Sequence, residues 1–292
     1  MGVVSNVGTL SDTNTINRLL SNQISPEFKK GVVLAPLIYT EEMPERQGTA
    51  TKYFQREGSL TTETAVAEAT AQALQAPRSD DGVSATMAKR VNVQGYSIEN
   101  QKFSVVNMQS YVNSAARLLG RAVDEQIASL FTSVTEQVDT EATALEIDDL
   151  DTAQFKILAN QVPSSKRLIF MGSPKAYQSL KGEIRNSSSP AYSNDRFLSM
   201  FDNPPSFDGY MGTLPGYDLY MFSSGLAEVG DSLSQCMFHP DYAFAGTFDR
   251  AVSVETDMKG SEGGYTEIYS YFFWSAVIWN QAAAVEILSP AA

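Results

Sequence analysis

Cysteine and histidine occur once each in the 292 residues, as Cys236 and His239. One thiol excludes an intramolecular disulfide and a cysteine-based zinc cluster. One imidazole leaves a Ser–His–Asp triad a single possible base. His239 lies in MFHPDYAF, directly before Pro240, a setting that suits a structural or surface histidine. Walker A, GxGxxG, GxSxG and HExxH sequences are all absent, which removes the common phosphate, dinucleotide, hydrolase and zinc-protease signatures. Long hydrophobic runs are lacking too. The most apolar stretch, Tyr271–Ile287, carries Ser275, Asn280, Gln281 and Glu286, and is too short and too polar to span a membrane. The start, MGVVSNVGTLSDTN, has no basic region followed by an apolar core, so no secretory signal is read there. Met1-Gly2 with Ser5 is not followed by the basic patch that would support a myristoyl anchor.

Positive charge is scarce and unevenly placed. The net charge is −13. Residues 1–121 hold 12 Lys/Arg against 11 Asp/Glu, residues 122–196 hold 7 against 11, and residues 197–292 hold 2 (Arg250, Lys259) against 12. A protein that grips nucleic acid through its phosphates needs a basic face, so sequence-specific nucleic-acid binding is not expected. Any contact with duplex DNA is expected to be weak and non-specific, and to fall in the first third, at Arg18, Lys29, Lys30, Arg117 or Arg121. The alternative for Arg117 and Arg121 is pairing with acidic groups of neighbouring subunits.

Asp148, Asp149 and Asp151 resemble a divalent-metal cluster, but helix capping explains them equally well. Asp80-Asp81-Gly82 lacks the remaining ligands of a calcium loop. Tyr269, Tyr271, Phe272, Phe273, Trp274 and Trp279 could stack on a ligand, and suit a core or a subunit interface better. No catalytic, cofactor-binding or metal-binding residue is assigned. The chain is not expected to be an enzyme or to carry a cofactor.

What is present begins with Gln109–Val138, QSYVNSAARLLGRAVDEQIASLFTSVTEQV, which contains no proline. Val112, Ala116, Leu119, Val123, Ile127, Leu130 and Val134 follow one another at steps of 4, 3, 4, 4, 3 and 4, which keeps them on one face of a helix. A second row, Ala115, Leu118, Ala122 and Phe131, widens the stripe, and Arg117, Arg121, Asp124, Glu125 and Gln126 lie off it. The pattern predicts a helix roughly 45 Å long, a beam for other layers to pack on.

Ahead of it, residues 1–30 are polar and read as an arm that cannot bury itself. GVVLAPLIYT (31–40) is an apolar run broken by Pro36, an edge strand. GTATKYFQ (48–55) and residues 87–107 have strand composition, the latter as two extended pieces around Gly95. The Thr- and Ala-rich residues 58–82 between them read as the tip of a long projecting hairpin, with a weak helix at Ala65–Leu74 as the blander possibility. Behind the beam, Asp148 or Asp149 caps a helix running to about Asn160. RLIFM (167–171) is a buried strand. Ser173 caps a helix with Pro174 at its first position. Residues 183–212 look irregular, and LPGYDLYMF (214–222) turns at Pro-Gly and becomes a strand. Ala251–Asp257, Tyr265–Trp274 and Ala282–Leu288 are strands, with KGSEGG (259–264) as a turn.

This order of pieces resembles the major capsid proteins of tailed phages, the Hong Kong 97-type fold. SAARLLGRAVDEQIASLF is similar to that family's spine helix, in which an Asp near the position of Asp124 is common. VPSSKRLIFMGSPKAYQSL, GTLPGYDLYMFSSGL and VSVETDMKGSEGGYTEIYSYFFWSAVIW resemble its later passages in order and spacing. The resemblance implies an α+β fold. Its parts would be an N-terminal arm and first strand (1–40), an extended hairpin or E-loop with flanking strands (41–107), a spine helix of the peripheral domain (108–146), an axial domain (147–249), and strands returning to the peripheral domain (250–292). It implies self-assembly into hexamers and pentamers around double-stranded DNA, in a virion assembled in the host bacterial cytoplasm. A portal and a decoration protein are further implied partners, and no membrane is. Because the chain starts directly with the arm, without a fused scaffolding segment, a separate scaffolding protein is expected. The cross-linking chemistry of some relatives is not carried over to Lys52, which lies near the hairpin base. The competing expectations are an encapsulin-type compartment shell, and an acidic α/β metal-dependent hydrolase using Asp148, Asp149, Asp151 and His239.

Overall fold

The structure, a computed structural model, describes residues 32–43, 49–55, 82–97, 108–140, 144–160, 162, 166–185, 209–222, 226–249, 252–259 and 265–290. The apolar stripe forms a helix, but one that stops early. Helix α1, Met108–Ser129, has 22 residues, about 33 Å, rather than running to Val138. The hydroxyls of the segment end it. Ser129 Oγ donates to the Gln126 carbonyl at 2.7 Å and Thr132 Oγ1 to the Ser129 carbonyl at 3.1 Å, and Leu130 N–H bonds Ile127 at 3.0 Å, tightening the chain into the 3₁₀ turn Phe131–Ser133. Gln281 then draws the backbone away: its Oε1 accepts from Thr135 N–H and its Nε2 donates to the Ser133 carbonyl. Val134 is buried as expected, and Val138 is buried as well, but both from extended chain.

The face that α1 buries also differs from the pattern. Leu118 is 49% exposed, whereas Asp124 is 1% exposed. Beside the row Ala115, Leu119, Val123, Ile127, the buried row is Ala116, Gly120, Asp124, Ala128. Three of its members are small, so the chain at 32–34 can come close enough to donate backbone N–H groups to Asp124.

Two sheets share the core. In the first, β13 (Tyr265–Ile278) is flanked on one edge by β4 (Ala88–Ser97), and on the other successively by β12 (Ser253–Lys259) and β11 (Phe244–Phe248). Outside β11 lies β1 (Tyr39–Glu42), parallel to it, at the sheet edge. Gly95 does not divide β4, which pairs with β13 as one strand. The second sheet runs β5 (Gln137–Asp139), β14 (Ala284–Pro290), β10 (Ser232–Phe238), β6 (Leu168–Gly172), β8 (Tyr217–Met221), β7 (Tyr210–Leu214), with β9 (Glu228–Val229) on β10. Every residue of β6 is buried. The Pro-Gly turn into β8 needs Gly216, whose φ of +98° only glycine adopts freely. The short strands β5, β7 and β9 have no counterpart in the sequence reading.

Helices α2 (Ile147–Ala159) and α3 (Pro174–Arg185) complete this second half. Ser173 Oγ accepts from Ala176 N–H at 3.1 Å, the expected cap. In α2 the cap lies earlier than Asp148 or Asp149. Glu146 precedes the helix, and its N–H donates to Asp149 Oδ2 at 2.9 Å. Glu183 of α3 accepts from Ile147 N–H at 2.8 Å, so a longer-range acceptor takes another open donor of the first turn. Strands β2 (Thr51–Gln55) and β3 (Gly82–Thr86) pair with each other.

Besides the passage through α1 from β4 to β5, the chain crosses between the two sheets twice, from β10 to β11 and from β13 to β14. At the first crossing Phe131, Phe238 and Phe244 meet, with ring centroids 5.2–6.3 Å apart and no exposure. Phe131→Ala is expected to lower subunit stability by about 3–5 kcal/mol. Leu119→Asp or Ile127→Asp should prevent folding, because each buries an unpaired charge. Arg117→Ala and Glu125→Ala should melt near wild type. Comparable thermal melts from the two sets would mean the buried face is wrongly placed.

Candidate functional site

The residues with chemical potential do not converge. His239 is buried; its Nδ1 accepts from Asp241 N–H at 3.2 Å, and its ring lies 4.8 Å from that of Tyr242. Asp149 belongs to the α2 cap, Asp151 accepts from the Tyr217 hydroxyl at 3.2 Å, and Asp148 is exposed. Burial with the neighbouring Asp151 carboxylate pushes the Tyr217 phenol well up, so it remains a donor. Among the described residues, no three His, Cys, Asp or Glu side chains come together as a metal site, and no helix is long and apolar enough to cross a membrane. Asp80 and Asp81 lie outside the described residues.

The aromatic residues of β13 divide by strand alternation. Phe272 and Trp274 enter the core beneath α1. Tyr269, Tyr271 and Phe273 lie half-buried on the opposite face, where Lys89 Nζ sits 4.1 Å from the centroid of the Tyr271 ring. The Tyr271 hydroxyl donates to Glu255 at 2.7 Å, and this bond raises its pKa. Farther along the same face, Phe54 and Ala85 of the β2–β3 pair pack on Ala245, Val277 and Trp279. Tyr39 lies 5.2 Å from the Trp279 ring, and Trp279 Nε1 donates to the Gln55 carbonyl at 3.2 Å. Lys52 pairs with Glu41 at 3.2 Å. The β2–β3 stem is therefore seated on the first sheet by an aromatic cluster, and Gln55 opposite Gly82 is its outer end. The expected tip, 58–82, lies outside the described residues except for Gly82.

Beneath the opposite face, Asp124 holds the chain that leads into β1. Its Oδ2 accepts from Val33 N–H at 2.8 Å and its Oδ1 from Leu34 N–H at 2.9 Å. Burial raises its pKa to about 6, although the backbone donors of Val33, Leu34 and Ala35 pull the other way. Periodicity alone had placed Asp124 off the buried stripe. Its partners are some ninety residues away in sequence, so only the resemblance singled it out.

No family model and no curated protein matches the sequence. Solved structures match it over most of its length. That of Mycobacterium phage Che8 aligns with a TM-score of 0.64 at 16% identity, covering 88% of this chain and 90% of that one. The asymmetric unit of the mature capsid of bacteriophage PhiM1 aligns at 0.64 and 8% identity, covering 89% and 88%. A virus-like particle from Pyrococcus furiosus aligns at 0.59 and 10% identity, covering 93% and 99%. The chain has the fold of tailed-phage capsid proteins.

The cations weighed for DNA contact divide in the same way. Arg18, Lys29 and Lys30 lie outside the described residues. Arg121 pairs with its own Glu125 at 2.8 Å on the exposed side of α1, where a neighbouring subunit had been weighed as its partner. Arg117 is exposed.

Asp124 makes the capsid fold pH-dependent. Its carboxyl titrates near 6 when folded and near 3.8 when unfolded, so the folded chain holds the proton more tightly. The resulting stabilisation is full below about pH 3.8 and is lost as pH rises through about 6. Relative to Asp124→Asn, unassembled wild-type protein should gain about 2–3 kcal/mol as pH falls across that window, read from urea unfolding midpoints. Parallel pH profiles for the two proteins would disprove the assignment.

Proposed function

We propose that this chain is a major capsid protein, many copies of which form pentamers and hexamers that close as an icosahedral shell around a double-stranded DNA genome. The observation carrying this reading is the capsid fold itself, matched over about nine tenths of both chains in the phage structures. A second support is the seated β2–β3 stem. Its outer end, Gln55 opposite Gly82, lies at Trp279, and residues 56–81, which join the two strands, hold few large apolar side chains with which to make a core. In this reading 1–40 is the arm and 41–107 the E-loop region. The first sheet with α1 corresponds to the peripheral domain, and α2, α3, β6, β8 and β10 to the axial domain.

The proposed partners are other copies of the same chain, a separate scaffolding protein, a portal and a decoration protein. Contact with the packaged DNA is weak, since the last third of the chain is strongly acidic. The match to the Pyrococcus furiosus particle favours one second reading, an encapsulin-type compartment with a protein cargo. Nuclease-protected DNA inside purified particles distinguishes the two.

Negative-stain microscopy of the purified protein is expected to show capsomers or shells; small monomers at every concentration would refute the proposal. Replacing residues 58–80 by a short glycine linker should leave a folded, soluble subunit that forms no closed shell. Normal shells from that deletion would remove the hairpin from the assembly. In filter binding to random duplex DNA, unassembled subunits should bind weakly and lose affinity steeply with salt. Nanomolar binding that survives about 0.2 M salt would rule out a lining that does not fix the genome.

A further inference from the structure

Among the described residues, two features of the second half are left uncovered within one chain. Helix α2 buries Ile147, Leu150, Ala153 and Ile157. Its other side carries Asp148, Asp151, Phe155 and Leu158, spaced by three and four residues and therefore in one line along the helix. Phe155 is 73% exposed, the most exposed of the large hydrophobic side chains among the described residues, and Leu158 is 44% exposed one turn on. A single exposed apolar residue needs no explanation. An exposed aromatic and aliphatic pair continuing a line of two carboxylates has the composition of a contact surface.

The second feature is an open cleft of about 200 Å³ where the chain entering α2, the first turns of α3 and the end of β14 meet. Leu145, Ala176 and Pro290 give it apolar walls, and Ser179 and Lys175 also line it. Among the described residues the Lys175 ammonium has no carboxylate partner. A cavity of roughly 150 Å³ is enough to take benzene, so a phenyl ring fits this one.

Resting on the shell reading above, we infer that Phe155 of one copy inserts into this cleft on a second copy, with Lys175 of the receiving copy meeting the Asp148 and Asp151 carboxylates beside the entering ring. Size and charge both match. The occupant cannot be the chain's own Phe155. Leu145 lies two residues before α2, and Phe155 stands about 12 Å along that rigid helix, on a face it cannot fold back. Each copy then presents both a knob and a socket, the property that lets one contact repeat through an assembly.

The test uses the full-length chain in two variants, Phe155→Cys and Ser179→Cys. Cys236 is fully buried and stays out of the reaction. Mixed and oxidised under assembly conditions, the two should give a disulfide-linked dimer containing one of each, in clear excess over dimers from either alone. Phe155→Ala should raise the concentration needed for capsomers about tenfold or more while melting like wild type, since the side chain is exposed. If wild type assembles but the mixed dimer is no more abundant than the self-dimers, or Phe155→Ala assembles normally, this contact is wrong and the shell reading survives. If wild type never assembles, both fall.

Discussion

Three phenylalanine rings without solvent contact decide whether this chain is one body or several. Phe131 opens the 3₁₀ turn that follows the long helix, Phe238 ends a strand of the seven-stranded sheet, and Phe244 begins a strand of the five-stranded sheet. Because each ring belongs to a different element, burying them together fixes the helix and both sheets relative to one another. Close-packed cores give little under small displacements, so this junction sets the frame in which the remaining contacts acquire positions. The early end of α1 follows from it. Had the helix continued to Val138, β5 could not have left it to lie beside β14.

Everything offered to partners lies outside that frame. The stem of β2 and β3 is attached through Phe54, Ala85 and Trp279, a satellite cluster separate from the main core. The chain before β1 is held by two backbone hydrogen bonds to one buried carboxylate and by Leu34 and Ile38, which are buried in the main core. Helix α2 turns Phe155 to solvent.

Local signals in the sequence were reliable where the physics is local. The Ser173-Pro174 start of α3, the buried RLIFM strand and the Pro215-Gly216 turn all lie where composition put them. The hairpin stem could be read from the strand-like flanks of a region without core residues. Signals failed where the deciding partner is distant. Periodicity leaves Gly120 and Asp124 off the stripe, and only the backbone of Val33 and Leu34 explains why they are covered. The 3₁₀ turn at Phe131 depends on Gln281, a residue 148 positions away from one of its bonding partners. Leu118, which periodicity put on the stripe, is exposed. The surfaces proposed for assembly have no local signature in the sequence and could be placed only with the fold.

Strand β3 runs into β4 through the single residue Met87, and β4 pairs with β13 over ten residues of antiparallel ladder, from Ala88–Trp274 to Ser97–Tyr265. A pull on the hairpin is therefore carried along the axis of β4. In that direction the rungs of the ladder share the load at once, whereas a force perpendicular to the strand would open them one after another. The connection is strong in shear and weak to peeling, so tension within the plane of a wall is borne by the whole ladder and passed to β13 at the centre of the sheet.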